Sequence, residues 1–224
     1  MISVPLTGIS ITPEGVFGGD PPFALAKWLP AKAAYKLYSL LPGIRSDWDF
    51  VGSCPITTGQ AYWIKTLVPK VIAPSGSVVD ITQDFGIPLS AGWNQIGCPF
   101  NREVDWSSLR VRYTVSGVTN NVSLAQAAVN GWVKDYGWMY DKASGNYALV
   151  RASTSNSTLT PWKGYWLKAN VSCTLVVPGF RSVSSQLTTS SLEADVPSVL
   201  DNTKWQVIMT ARNGELSDKF NYFG

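Results

Sequence analysis

Short apolar or alternating runs, separated by Gly, Pro and Ser/Thr breaks, fill the chain from end to end. That rhythm predicts strands, because a half-buried strand repeats every two residues and turns supply the breaks. Strands are expected over 2–6, 35–41, 47–51, 62–65, 68–72 and 77–81, and again over 85–89, 93–98, 111–115, 165–168 and 173–177. Two β-rich runs, 137–140 and 146–150, flank Asp141-Lys142-Ala143-Ser144-Gly145 and predict a hairpin. Helical signals are few. Asp20-Pro21-Pro22 has the form of a helix start, with the helix ending before Pro30. Ser123-Leu124-Ala125-Gln126 matches a capping box, and the Ala-rich run to Val129 predicts a short helix closed by Gly131.

The runs are not independent of one another. Ile2-Ser3-Val4-Pro5-Leu6 matches Ile96-Gly97-Cys98-Pro99-Phe100, an offset of 94. Gly59-Gln60-Ala61-Tyr62-Trp63-Ile64-Lys65 matches the stretch Lys163-Gly164-Tyr165-Trp166-Leu167-Lys168, with Tyr62-Trp63 and Tyr165-Trp166 offset by 103. The difference in offset falls in expected loops, which tolerate insertions at small entropic cost. The chain therefore reads as all-β: two tandem pseudo-repeated β-sandwich or barrel modules, each with one short helix. The first module, lacking its opening residues, spans 1–84 and the second 85–180. A Ser/Thr-rich linker is expected over 181–204, and 205–224 is expected to be a closing strand or the start of a further module. The chain enters at once on a strand-like apolar run, so it is expected to be part of a longer protein.

Composition narrows the chemistry. Hydrophobic residues make up 45% and charged residues 15% of the 224, which fits a folded core and not a disordered chain. The net charge of +3 is dispersed, without the basic run that follows a phosphate backbone, so nucleic acid is not an expected partner. There is no histidine, which removes Ser-His-Asp and Cys-His catalysis and any His-ligated zinc or haem. Three cysteines without a C-x-x-C spacing leave no zinc ribbon or iron–sulfur set, so neither a metal nor another cofactor is expected. No apolar run is long enough for a membrane-spanning helix.

Ten Trp and nine Tyr are the conspicuous resource. In the Tyr62-Trp63 and Tyr165-Trp166 strands, adjacent side chains face opposite ways, so one of each pair fills a core and the other is free for the surface. Trp28, Trp48, Trp132, Trp138 and Trp162 flank turns and are the candidates for exposed, ligand-stacking rings; the alternative is that they pack interiors. Carboxylate pairs occur at Asp47/Asp49, Asp80/Asp84 and Glu103/Asp105, but none carries an acid/base motif, and catalysis is not expected. Cys98 lies in the first strand of the second module and Cys173 in its last, while the first-module counterparts are not cysteine. Joint presence and joint absence predict a Cys98–Cys173 disulfide, with two buried free thiols as the rival. Cys54 is left over.

The set Gly92-Trp93-Asn94-x-Ile96-Gly97-x-Pro99-Phe100, Ala127-Ala128-Val129-Asn130-Gly131-Trp132-Val133 and Lys163-Gly164-Tyr165-Trp166-Leu167-Lys168 resembles tandem β-modules of very large secreted or cell-surface multidomain bacterial proteins. The tail from Trp205 to Gly224 is similar to the segment that often follows those modules. The resemblance covers essentially the whole chain and brings no catalytic residues. It implies an extracellular or cell-surface, non-catalytic structural or adhesive role. The alternative is a carbohydrate-binding module presenting surface Trp and Tyr. The partners implied are a polysaccharide, other surface proteins, or further copies joined through sheet edges, without membrane insertion.

Overall fold

Alternation in one short run shows how the fold is assembled. In Gly164–Ala169, Tyr165, Leu167 and Ala169 are buried while Trp166 and Lys168 turn the other way. The computed structural model in which this is seen describes residues 1–10, 12–48, 55–180, 207–213 and 216–223. The first half carries β1 (Ile2–Ser3), β2 (Leu6–Thr7), helix α1 (Pro13–Phe17), β3 (Phe23–Leu29), β4 (Ala34–Ser39), β5 (Ala61–Thr66) and β6 (Ser77–Val78). The second carries β7 (Phe85–Leu89), β8 (Gly92–Gly97), β9 (Val104–Asp105), β10 (Arg110–Val115), β11 (Val118–Ser123), helix α2 (Leu124–Val129), β12 (Val133–Asp141), β13 (Asn146–Val150), β14 (Thr158–Leu159), β15 (Gly164–Ala169) and β16 (Cys173–Val177). Two more strands, β17 (Val207–Asn213) and β18 (Leu216–Phe223), pair with each other. The protein is all-β, with antiparallel pairing throughout the described strands and two short α-helices.

The chain divides into two compact units, Met1–Ser182 and Val183–Gly224. In the first unit, one four-stranded sheet has the order β1-β5-β3-β4 and a second the order β8-β15-β12-β13. A third, β11-β10-β16-β7, faces the second across a core that includes Ile87, Ile96, Trp106, Val111, Tyr165, Leu167 and Leu175. A separate cluster of Val4, Phe17, Phe23, Leu25, Tyr38, Trp48 and Tyr62 lies under the first sheet. The predicted linker 181–204 lies outside the described residues.

The matched sequence segments occupy matching registers. Ile2 stands opposite Tyr62 in β1–β5, and Ile96 opposite Tyr165 in β8–β15. The buried Tyr62 hydroxyl accepts the Thr57 amide at 2.9 Å, and that of Tyr165 accepts the Thr160 amide at 2.8 Å. The halves also meet at these points. Ser3 N donates to Trp162 O, 3.2 Å, and Gly97 N to Gly59 O, 2.9 Å. At the crossing, a Cβ on Gly97 would overlap the Ser3 side chain, and a Cβ on Gly164 would come within 2.7 Å of that of Ala61. Ser3 with Gly97, and Ala61 with Gly164, are matched pairs.

Several expectations are corrected. The run after Asp20 is strand β3, not a helix: Phe23, Leu25 and Lys27 alternate inward, and pairing with β4 and β5 overrides the helical leaning of its Ala, Leu and Lys. The helix of the first half is α1, where the Thr12 hydroxyl accepts the Gly15 amide and Pro13 occupies the first turn. Residues 68–72 form no strand, and 49–54, including Cys54, lie outside the described residues. The Ser123 cap is as expected, accepting the Gln126 amide at 3.2 Å.

The Cys98–Cys173 disulfide is not formed, and both thiols are free. Cys98 follows β8 and Cys173 opens β16, so they belong to opposing sheets. Packed sheets stand about 10 Å apart, beyond the roughly 7 Å between Cα atoms that a bridge tolerates. The Cys98 thiol instead donates to the Arg102 carbonyl at 3.2 Å. Burial pushes both thiols up, from 9.0 to about 11.

Candidate functional site

The outward faces of the first two four-stranded sheets carry aromatic residues at successive register positions. On β3 and β4, Trp28 pairs with Tyr35; on β12 and β13, Tyr140 pairs with Tyr147. Trp63 on β5 and Trp166 on β15 fall between them, because Tyr62 and Tyr165 are the members of each Tyr-Trp pair turned inward. The rings interlock across the halves. Trp28 meets Trp166 edge-to-face at 5.5 Å, and Trp63 meets Tyr140 edge-to-face at 5.1 Å. Within each half, Trp28 meets Tyr35 at 5.0 Å and Tyr140 meets Tyr147 at 5.6 Å. Such pairs contribute about 0.5–1.5 kcal/mol beyond their burial and favour the observed ring orientations.

Trp28, Tyr35, Trp93, Trp138, Tyr147 and Trp166 wall an open groove of about 480 Å³, lined almost wholly by carbon. Tyr147 is 49% exposed, Tyr35 39% and Trp93 37%. The polar atoms that face it are specific. The Trp28 indole N–H is committed to the Trp93 carbonyl at 2.7 Å, and that of Trp63 to the Tyr35 hydroxyl at 3.1 Å. Trp93, Trp138 and Trp166 donate to no acceptor among the described residues. Burial raises the Tyr35 hydroxyl above its ordinary value; the Trp63 N–H opposes this, and nearby Tyr147 adds to it. Tyr35 therefore keeps its proton near neutrality and offers it as a donor. Gln95 ties the floor together, its Oε1 accepting the Trp28 amide at 3.2 Å.

Of the five expected exposed tryptophans, the groove brings together Trp28 and Trp138. Trp48 is a correction: it is 5% exposed, stacked on Tyr62 at 5.8 Å, with the Lys27 ammonium over its ring. Trp132 sits apart, edge-to-face with Tyr113 of the third sheet. Trp162 packs against the first core with φ 66°, where the matching residue is Gly59, φ 80°. The sequence reading did not single out Tyr35, Trp93, Tyr147 or Trp166 as site residues. For Trp166 the signal was there, since the two-residue period puts it opposite the core-filling Tyr165.

Three of the candidate carboxylates accept hydrogen bonds from neighbouring groups of the fold. The Leu37 amide, 2.7 Å away, holds Asp47 below the usual carboxylate range, and the Thr82 hydroxyl does so for Asp80. Asp84 accepts the Gly179 amide, and Asp49 lies outside the described residues. A polar cleft beside Arg102, Glu103 and Asp105 is drawn together by bonds from Arg102 to the Glu103 and Pro178 carbonyls. Among the described residues, no three acidic or cysteine side chains converge at metal-binding range. No protein-family model, curated protein or solved structure matches this chain.

Proposed function

We propose that the chain is a non-catalytic binding module of a secreted or cell-surface protein, built from a duplicated β-unit, whose aromatic groove holds a carbohydrate by stacking. The observation that carries this reading is the groove itself: six Trp and Tyr rings contributed by both halves, with three indole N–H groups left without a protein acceptor among the described residues. A pyranose presents an apolar C–H face and an equatorial rim of hydroxyls. Rigid rings receive the face at little entropic cost, and indole and phenol donors meet the rim. The adhesive role implied by the resemblance is met by the same contact, since a module that grips a surface glycan adheres to it. The matched registers of β1–β5 and β8–β15, and the contacts between equivalent residues at their crossing, support the duplication.

Titration of intrinsic tryptophan fluorescence with a panel of neutral and acidic oligosaccharides tests the reading. Saturable quenching by at least one glycan is expected, with affinity falling about tenfold or more in Trp166→Ala and Trp138→Ala, since loss of a stacking anchor costs upward of about 1.4 kcal/mol. Binding that both variants retain in full would remove the groove from the function.

A further inference from the structure

The same outward face carries a second repeated feature. Each Trp at its centre is followed two residues later by a lysine: Trp63-Ile64-Lys65 on β5 and Trp166-Leu167-Lys168 on β15. Two residues along a strand is one side-chain repeat on one face, about 6.6 Å. Ile64 packs against the first core and Leu167 is fully buried, which leaves both lysines outward with the tryptophans. The register agrees: Lys65 stands opposite Ala24, and Lys168 opposite Trp93, whose ring its ammonium overlies at 5.9 Å. Neither lysine joins an ion pair among the described residues, where the pairs are Lys36–Asp47 and Arg151–Asp135.

Among the described strand residues, no carboxylate shares this face. The strands that build it are β3, β4, β5, β8, β12, β13 and β15, and their only acidic residues are Asp135 and Asp141 on β12. Asp135 is bound to Arg151 at 2.7 Å. Asp141 caps its own hairpin by accepting the amides of Ala143 and Ser144. Its carboxyl is held below the usual range, chiefly by Ser144. Among the described strand residues, the face therefore combines stacking rings with lysines that join no ion pair, and no carboxylate opposes them. Ammonium groups beside a low-dielectric aromatic wall attract an anion more strongly than they do in open water.

Resting on the reading of the groove as a glycan site, we infer that its ligand is an acidic polysaccharide, a chain of uronic-acid type whose pyranose rings stack on Trp166 in the groove and reach Trp63 beside it, while ring carboxylates meet Lys168 and Lys65. One Trp–Lys pair in each half suits a polymer with a repeated ring-plus-carboxylate unit, because two modest contacts on one chain raise affinity through effective concentration. Single-stranded nucleic acid also offers rings and negative charge. It carries a phosphate at every residue and is held by grooves lined continuously with cations, whereas the Trp–Lys pairs of this face supply two.

Oligogalacturonate, neutral β-1,4-galactan oligomers and oligo-dT are titrated against the intact chain by calorimetry at low and high salt. The expected result is binding of oligogalacturonate that weakens as salt rises, about tenfold tighter than the neutral oligomer. Lys65→Gln and Lys168→Gln should each lower oligogalacturonate affinity several-fold, and by more than they lower that of the neutral oligomer. Equal binding of neutral and acidic oligomers, or unchanged affinity in the double variant, would overturn the acidic-ligand inference and leave the groove reading standing. Tighter binding of oligo-dT than of any glycan would also overturn it. Binding of no saccharide at all would remove both readings together.

Discussion

At the scale of single residues, two kinds of buried polar group behave differently. The Tyr62 and Tyr165 hydroxyls are buried with a partner amide each, and the rings contribute the larger share of stability, about 1.5–3 kcal/mol per buried ring against about 1 kcal/mol for the hydrogen bond. The Cys98 thiol is buried and the Cys173 thiol half-buried against the same apolar core, and that desolvation raises both to about 11 from 9.0. A folded-state pKa raised above the unfolded one means that the unfolded chain releases its proton first. The associated stability is therefore complete below about pH 9 and is lost as pH rises from about 9 to about 11. Urea midpoints measured between pH 8 and pH 11 should fall across that window, and Cys98→Ala combined with Cys173→Ala should flatten the fall. An unchanged slope in the double variant would assign it to other groups. The tyrosine–tryptophan strands were legible at this scale because alternation is local. The disulfide was not, because pairing two cysteines requires knowing which sheet each strand joins.

At the scale of elements, hydrogen-bonding partners outranked intrinsic preference. Phe23–Leu29 reads locally as a helix behind Asp20 and two prolines, yet β4 and β5 on either side supply ladder bonds that a helix there would forgo. By contrast, the Asp141–Gly145 hairpin loop and the Ser123 cap are read straight from sequence, since their chemistry lies within a few residues. The crossing of β1 and β8 is an element-level feature that depends on the absence of a Cβ. Gly97→Ala drives a methyl into Ser3, and Gly164→Ala drives one against Ala61 and Met1. Each is expected to cost about 1–3 kcal/mol, the usual range for overpacking. Gly19→Ala serves as the control, because a Cβ there meets nothing within 4 Å. Thermal or urea unfolding of the three variants reads the difference, and equal stability of all three would refute the close approach.

At the scale of the molecule, the groove belongs to neither half by itself. Trp28 and Tyr35 come from the first and Trp93, Trp138, Tyr147 and Trp166 from the second. The second half closes its own core between two sheets, whereas β1 of the first is anchored by bonds to the Trp162 and Lys163 carbonyls. Expressed separately, 85–180 is expected to unfold cooperatively and 1–84 to lack a cooperative transition. Circular dichroism melts of the two pieces and of their mixture measure this. A cooperative melt of 1–84 alone would show that the crossing is dispensable for it.

The sequence by itself determined the all-β class, the hairpin, the cap, the exclusion of histidine chemistry and the matched segments. All of these follow from side-chain period, turn residues and composition, which act over a few positions. Only the tertiary structure decided which strands share a sheet, that Cys98 and Cys173 stay apart, that Trp48 is interior, and which tryptophans meet in a groove. Those outcomes depend on contacts between residues far apart in the chain, and no local pattern specifies which face of a sheet is left uncovered.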